Sequence, residues 1–413
     1  MIDPSDRFWV VGEQVKGNVR TGQVIDWDQR RWYTIEGPVL LIPPDENVDI
    51  DILKRYVGQL GQTVQSITVD DKGLLVKVSS DPEDDRTLTT NYPRFATAPS
   101  LQSCLTVQLS QVTEEDRLGP SVDLVSYVDD SGTSKFAVFK YYMIYQTRSW
   151  IWNELHLTKS LPKHPIILPF DRVVLSDAER RVLGFTTPYI PNGTIEQNKD
   201  RVFRLSWLQQ LLDVVDYLNF NLGIVHQDIA PRNLLVDPET DNLLLFDFDR
   251  AARIGQLSCF PERNDVSGVI FTLYEIVSQD DHFRRVEHRE QDPDAVLALE
   301  SWPLKCKLDC EVGEFRKHLD EWIRRRKCQD DAPRRHVDFM PDLPDVPPAS
   351  PIITGNDDSG EPVWGDDLIQ HRKEALKRQK NVIVWERAPR QLVPIEYFAY
   401  GTLRITIFKE LDC

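Results

Sequence analysis

The stretch GIVHQDIAPRNLLVDPETDNLLLFDFD, residues 223–249, decides the fold. It sets two polar clusters beside apolar runs. His226, Asp228 and Asn233 make the first cluster; Asp247 and Asp249 make the second. Ile224 and Val225 lead into the first, and Leu234, Leu235 and Val236 lead out of it. Leu243, Leu244, Leu245 and Phe246 lead into the second, and the intervening DPETDN carries turn chemistry. The pattern predicts a loop braced by apolar residues, then a hairpin of two short strands. That hairpin would bring Asn233 and Asp247 together. Neighbouring oxygen donors suit a hard cation such as Mg²⁺, with Asp228 as a further carboxylate beside it.

The whole chain sets limits on this reading. Its 413 residues suffice for two or three domains and a sizeable core. A net charge of −17 argues against general nucleic-acid binding and against an anionic membrane surface. It does not forbid one cationic pocket, because charges are screened over about 8 Å at physiological salt. The start, MIDPSDRFWVV, is acidic where a signal peptide is basic. No stretch approaches the roughly 20 apolar residues of a membrane span. Cys104, Cys259, Cys306, Cys310, Cys328 and Cys413 are scattered without a CxxC pair, which predicts free thiols and an intracellular location, cytoplasmic or nuclear.

Residues 1–103 read as an α/β extension that packs on the succeeding domain, with strands at 39–42 and 74–78 and a helix at 52–60. From 104 the pattern changes. Alternation at 105–109, 122–128 and 136–140 predicts an antiparallel meander ending in Lys140. A helix over 149–160 carries Glu154 and stops before Pro162. Taken singly, Lys140 is a solvated edge charge and Glu154 a surface acid. Strands at 173–175 and 182–185 precede a rigid connector, TPYIPNG. Trp207, Leu208, Leu211, Leu212, Val215 and Leu218 stripe one helix, which Gly223 ends. A helix over 265–277 is apolar all round and therefore buried, with Asp265 readable as its N-cap. Phe315, Leu319, Trp322 and Ile323 mark another helix. Residues 329–367 are rich in Pro and Asp and read as a linker; 368–413 read as a tail with a helix at 368–380 and strands at 382–385 and 403–407.

The order of these features resembles the eukaryotic protein kinase superfamily over about residues 105–327. AVFK, ending in Lys140, resembles the family's VAIK strand. Asn153, Glu154 and Leu155 resemble its αC helix, HQDIAPRN its catalytic loop, and Asp247-Phe248-Asp249 its DFG. The resemblance implies an α+β bilobal fold, with an N-lobe over 104–190 and a C-lobe over 191–328. It implies ATP and Mg²⁺ as cofactors. Lys140 would hold the ATP phosphates, paired with Glu154; Asp228 would accept the substrate proton; Asn233 and Asp247 would hold Mg²⁺. Gly119, Val125 and Ala137 would line the nucleotide, and Pro188, Tyr189 and Ile190 would form the hinge against adenine. His226 and Asp265 would give structural support.

Several positions depart from that pattern. The loop before AVFK, LGPSVDLV, has one glycine, and Pro120 lacks an N–H for phosphate. Gln227 replaces an Arg, Ala230 a Lys, and Asp249 a Gly. Only fifteen residues separate Asp249 from Asp265. The expectation is an ATP-dependent phosphotransferase acting on a hydroxyl of a protein or a small molecule. The alternative is a pseudokinase that binds nucleotide as a scaffold.

Overall fold

The computed structural model describes residues 2–39, 47–330, 343–348, 351–356, 359–366 and 369–389. The chain opens with a five-stranded sheet in the order β1 (Phe8–Lys16), β2 (Val19–Asp26), β3 (Arg31–Pro38), β4 (Ser66–Val69), β5 (Leu75–Ser79). Helix α1 (Asn47–Tyr56) lies on it and buries Ile52 and Leu53 against Val24, Tyr33 and Ile35. Gly22 permits this approach, since a Cβ there would sit 2.1 Å from the Asp49 carboxylate. The helix starts before the expected 52, and residues 57–59 form a tighter 3₁₀ turn. Of the strand expected at 39–42, positions 40–42 lie outside the described residues.

A short strand, β6 (Leu88–Thr90), leads to a six-stranded sheet. Its strands are β7 (Thr106–Gln108), β8 (Thr113–Gly119), β9 (Val122–Val128), β10 (Ser134–Tyr141), then, after helix α2 (Tyr145–Ser160), β11 (Arg172–Leu175) and β12 (Val182–Pro188). The spatial order is β7-β11-β12-β10-β9-β8. Successive side chains alternate faces. On β10, Ala137, Phe139 and Tyr141 join Ile25, Trp27 and Trp32 of the first sheet's strands and turn in one apolar cluster. The sheet therefore has its outer face covered by the N-terminal extension. Gly184 allows β12 to lie close to β10, because a Cβ there would meet the Lys140 carbonyl oxygen at 2.0 Å.

The remainder is mainly helical. It runs β13 (Val202–Phe203), α3 (Leu205–Asp216), β14 (Ile224–Val225), β15 (Leu234–Val236), β16 (Leu243–Leu245), β17 (Ala252–Arg253), α4 (Asp265–Ser278), α5 (Pro293–Leu297), β18 (Lys307–Leu308) and α6 (Val312–Asp330). Helix α3 ends in one wider turn, Tyr217–Asn221, before Gly223 at φ +65°. Trp207, Leu211, Phe271, Phe315 and Trp322 are buried in a common core between α3, α4 and α6. Asn264, not Asp265, caps α4: its side chain accepts from Ser267 N–H.

Beyond α6 the described pieces dock on earlier elements. Carbonyls of Pro344 and Pro347 accept bonds from Trp152 and Arg148 of α2. Strands β19 (Pro351–Asn356) and β20 (Pro362–Asp366) pair as a hairpin. Strand β21 (Ile369–His371) pairs with β6, and α7 (Arg372–Lys377) follows, shorter than the expected 368–380. Residues 382–385 are not a strand. They run without regular structure, and Trp385 stacks on Tyr141 at 4.8 Å. The strand expected at 403–407 lies outside the described residues. The molecule is thus mixed α and β, with a β-rich N-terminal portion. No described helix is long and apolar enough to cross a membrane, and the five described cysteines carry free thiols.

Candidate active site

The site is assembled from the inner face of β10, helix α2 and the two turns around the β15–β16 hairpin. Leu234 pairs with Leu245, so Asn233 and Asp247 flank the open end of that hairpin. Lys140 is buried. Its ammonium donates to Glu154 Oε1 at 2.6 Å and to Asp247 Oδ1. Burial alone would pull this lysine down, but Asp247 and Glu154 outweigh it and hold the ammonium above the ordinary lysine value. Two carboxylates compete for that one cation. Glu154, almost fully buried, is pushed up to about 7 by burial, against Lys140's opposing pull and with Asp247 adding to the rise. Asp249 is pushed up to about 6, first by burial and then by Asp247.

Asp228 stands on the adjoining loop. Its Oδ1 accepts from Arg232 at 2.5 Å and its Oδ2 from the Asn233 amide at 2.9 Å. Burial would raise this carboxyl, but Arg232 and the Asn233 amide more than offset it and keep it below the usual range. It is ionised at neutral pH. Each oxygen thus accepts one hydrogen bond within the loop and keeps a lone pair for a further partner. Arg232 was not singled out from the sequence. A cation four residues after Asp228 was the available signal, and it supplies positive charge where buried Ala230 cannot.

The supports are specific. Asp265 accepts from the backbone N–H groups of His226 and Gln227 at 2.9 and 2.8 Å, and from Asn219 at 2.8 Å. This fixes Gln227 in the left-handed region, φ +64°. His226 Nε2 donates to the Phe246 carbonyl at 3.0 Å, and its ring packs on Phe248 at 4.7 Å. Asp247 also sits at positive φ, +69°. Gln227 was missed as a positioning group. Its amide donates to the Arg250 and Ser258 carbonyls at 2.6 and 2.8 Å and accepts from Phe260 N–H at 2.6 Å. One neutral side chain thus holds the segment after Asp249.

Two expected nucleotide contacts are misplaced. Ala137 and Val125 are cross-strand partners and both lie in the cluster under the N-terminal extension, on the face opposite Lys140. The reason is parity. Ala137 is three residues from Lys140, and residues an odd number apart point to opposite faces. Val138, with its partners Leu124 and Thr187, shares the Lys140 face. Gly119 ends β8, and Pro120 and Ser121 make a tight turn with Ser121 at φ +60°. The Ser121 carbonyl accepts from Tyr141 N–H at 3.1 Å, so the turn is tied to β10. Pro188 ends β12, and Tyr189 N–H donates to the Phe136 carbonyl at 3.4 Å. Ile190 packs with Leu168, Leu235 and Leu244.

Asn233 and Asp247 offer side-chain oxygens of the kind a hard divalent cation takes. Among the described residues no group of three or more His, Cys, Asp or Glu is arranged to hold a metal alone. Mg²⁺ that arrives on phosphates needs only one or two protein oxygens. Glu154 and Asp249, both raised toward neutrality, mark an excess of negative charge that such a cation relieves.

No family model matches the chain. Short local similarities do exist. Eighty residues, 18% of this chain and 11% of the relative, are 35% identical to the serine/threonine-protein kinase PKH3 of Eremothecium gossypii. Forty-eight residues, 12% of this chain and 13% of the relative, are 44% identical to the serine/threonine-protein kinase RIM11/MSD1 of Saccharomyces cerevisiae. The chain matches only about a tenth of the length of these curated relatives. These stretches make part of the chain similar to serine/threonine kinases.

Proposed function

We propose that the protein is an ATP-dependent phosphotransferase with a bilobal, protein-kinase-like fold, moving the γ-phosphate of Mg·ATP to a hydroxyl of a protein or small-molecule substrate. The observation that carries this reading is the buried Lys140 joined to both Glu154 and Asp247, with Asp228 and Asn233 on the next loop. Lys140 would neutralise the phosphates, and Glu154 holds its ammonium in place. Asn233 and Asp247 are the residues to hold Mg²⁺, which when bound would neutralise charge on the phosphates. Asp228, ionised and fixed by Arg232, accepts the hydrogen bond of an incoming hydroxyl and takes its proton. Asp265 and Gln227 hold the loop and the following segment in register.

Asp228→Asn tests it. Transfer from labelled ATP should fall by about 10²–10⁴-fold, the usual contribution of a general base, while ATP binding persists. Undiminished transfer in this variant removes Asp228 from the role. A second reading, a nucleotide-binding scaffold without turnover, is favoured by the Pro120–Ser121 turn, which lacks the run of free N–H groups that cradles phosphate. Thermal stabilisation by Mg·ATP with no transfer in the unsubstituted protein selects that reading.

A further inference from the structure

A cavity of about 730 Å³ opens between residues 87–97, the start of α2 and residues 379–386, away from the Lys140 cleft. Its size is that of a small-molecule site, about 300–1,000 Å³. Six of its lining side chains are basic: Arg30, Arg94, Arg148, Arg181, Arg372 and Lys380. Among the described lining residues the acids are Glu179 and Glu386, in a chain of net charge −17. A basic pocket on an acidic protein concentrates anions.

The cations of the wall are unevenly neutralised. Arg372 is engaged by Asp85 and Glu386, and Arg30 by Asp123. Arg94 and Arg181 share the single carboxylate of Glu179, at 3.1 and 2.7 Å. Arg148 has no carboxylate within 4 Å among the described residues. Its side chain hydrogen-bonds the neutral Tyr142 hydroxyl, its Nη2 donates to the neutral Pro347 carbonyl at 3.1 Å, and its buried Nε has no partner among the described residues. It is only 5% exposed. A buried guanidinium without a counter-charge is costly, and its planar fork matches an oxyanion. Thr90, also lining the cavity, has a buried hydroxyl with no partner described. Trp32, Met143 and Trp385 supply an apolar wall.

We propose that this cavity binds an organic oxyanion, bearing phosphate or carboxylate, through Arg148 and Arg94, with the apolar wall taking the rest of the molecule. The site stands independently of the kinase reading. It also has a mechanical link to the cleft, because Arg148 and Glu154 lie on the same helix, α2. A ligand gripping Arg148 steadies the element that presents Glu154 to Lys140.

The test is thermal unfolding of the full chain with millimolar inorganic phosphate or citrate, ionic strength being held constant with sodium chloride. Both anions are run also on Lys140→Met, which removes the cleft's cation. The expected result is a rise in Tm that survives Lys140→Met, is lost in Arg148→Gln and is clearly reduced in Arg94→Gln. A larger rise with phosphate assigns a phosphorylated ligand; a larger rise with citrate assigns a carboxylate. No rise with either anion overturns the proposal, as does the same rise in both arginine variants. A rise that disappears in Lys140→Met also overturns it, because the anion then sits in the cleft. If Arg148→Gln does not fold, Arg94→Gln decides alone, since its side chain is largely exposed and its loss spares the core.

Discussion

The two faces of β10 are built from one strand and do opposite things. Ala137, Phe139 and Tyr141 point into an aromatic cluster with Trp27, Trp32 and Trp385. Val138 and Lys140 point into the cleft, where Lys140 meets two carboxylates. The first face holds the protein together by area removed from water. The second holds charges in tension, with more acid than base. The apolar core and the charged group are thus separated by a single residue step.

The strongest disturbance of the outer face is Phe139→Ala. Removing a fully buried ring should destabilise by about 3–5 kcal/mol, read by chemical denaturation, with Lys140 left unaltered. If stability barely moves, the extension is not a working part of that core. Next comes Gln227→Ala. It strands the carbonyls of Arg250 and Ser258 and the N–H of Phe260, at a local cost of about 1–3 kcal/mol. Amide exchange should speed up over residues 250–260 while the α3–α4–α6 core stays protected; uniform exchange across both denies Gln227 its latch role.

The acid excess on the cleft face gives a pH signature. Glu154 and Asp249 have folded values raised to about 7 and about 6 from ordinary values of 4.5 and 3.8. In that window these two carboxyls hold more protons in the folded state than in the unfolded one, so their contribution to stability falls as pH rises, opposed by His164 and His288, which burial holds below the ordinary value. Tm of the nucleotide-free protein should decline between about pH 5 and pH 7, and the decline should flatten in Asp249→Asn. A Tm that climbs over this range contradicts the charge balance. The smallest effect separates the two faces directly. Val138→Ala should weaken nucleotide binding by about 1 kcal/mol through lost apolar contact. Ala137→Gly should leave the affinity alone and lower stability instead; the reverse outcome restores the other register.

How much was legible depends on the kind of signal each residue sends. Asp228, Asn233 and Asp247 stood out because polar groups were set at fixed intervals between apolar strands, and β15 and β16 bring the last two to one end. Lys140 and Glu154 were mute alone and spoke only through their order in the chain. Ala137 and Val125 were misread because a motif aligned one residue off flips every side chain to the other face. Strands β1 to β3 were missed since Gly12, Gly22 and interspersed Gln and Thr blur their alternation. Asp265 looked like a cap, but Asn264, one position earlier, took that task and freed it to hold the loop backbone. Gln227 and Arg232 act through contacts that local sequence does not encode.

Trp385 and Arg387 have one more consequence. Trp385 stacks on Tyr141 and donates to Tyr92, and Arg387 reaches Asp123 at 2.9 Å, beside Arg30 from the opposite end of the chain. Early and late parts of the polypeptide close over the same sheet. The cleft-bearing portion is therefore not a transferable cassette. A fragment confined to its boundaries would present a raw aromatic face to water, sticking to itself before it could be assayed. On the ribosome, the sheet emerges long before the segment that seals it. The outer face of this sheet is fully covered only once residues 381–389 are in place.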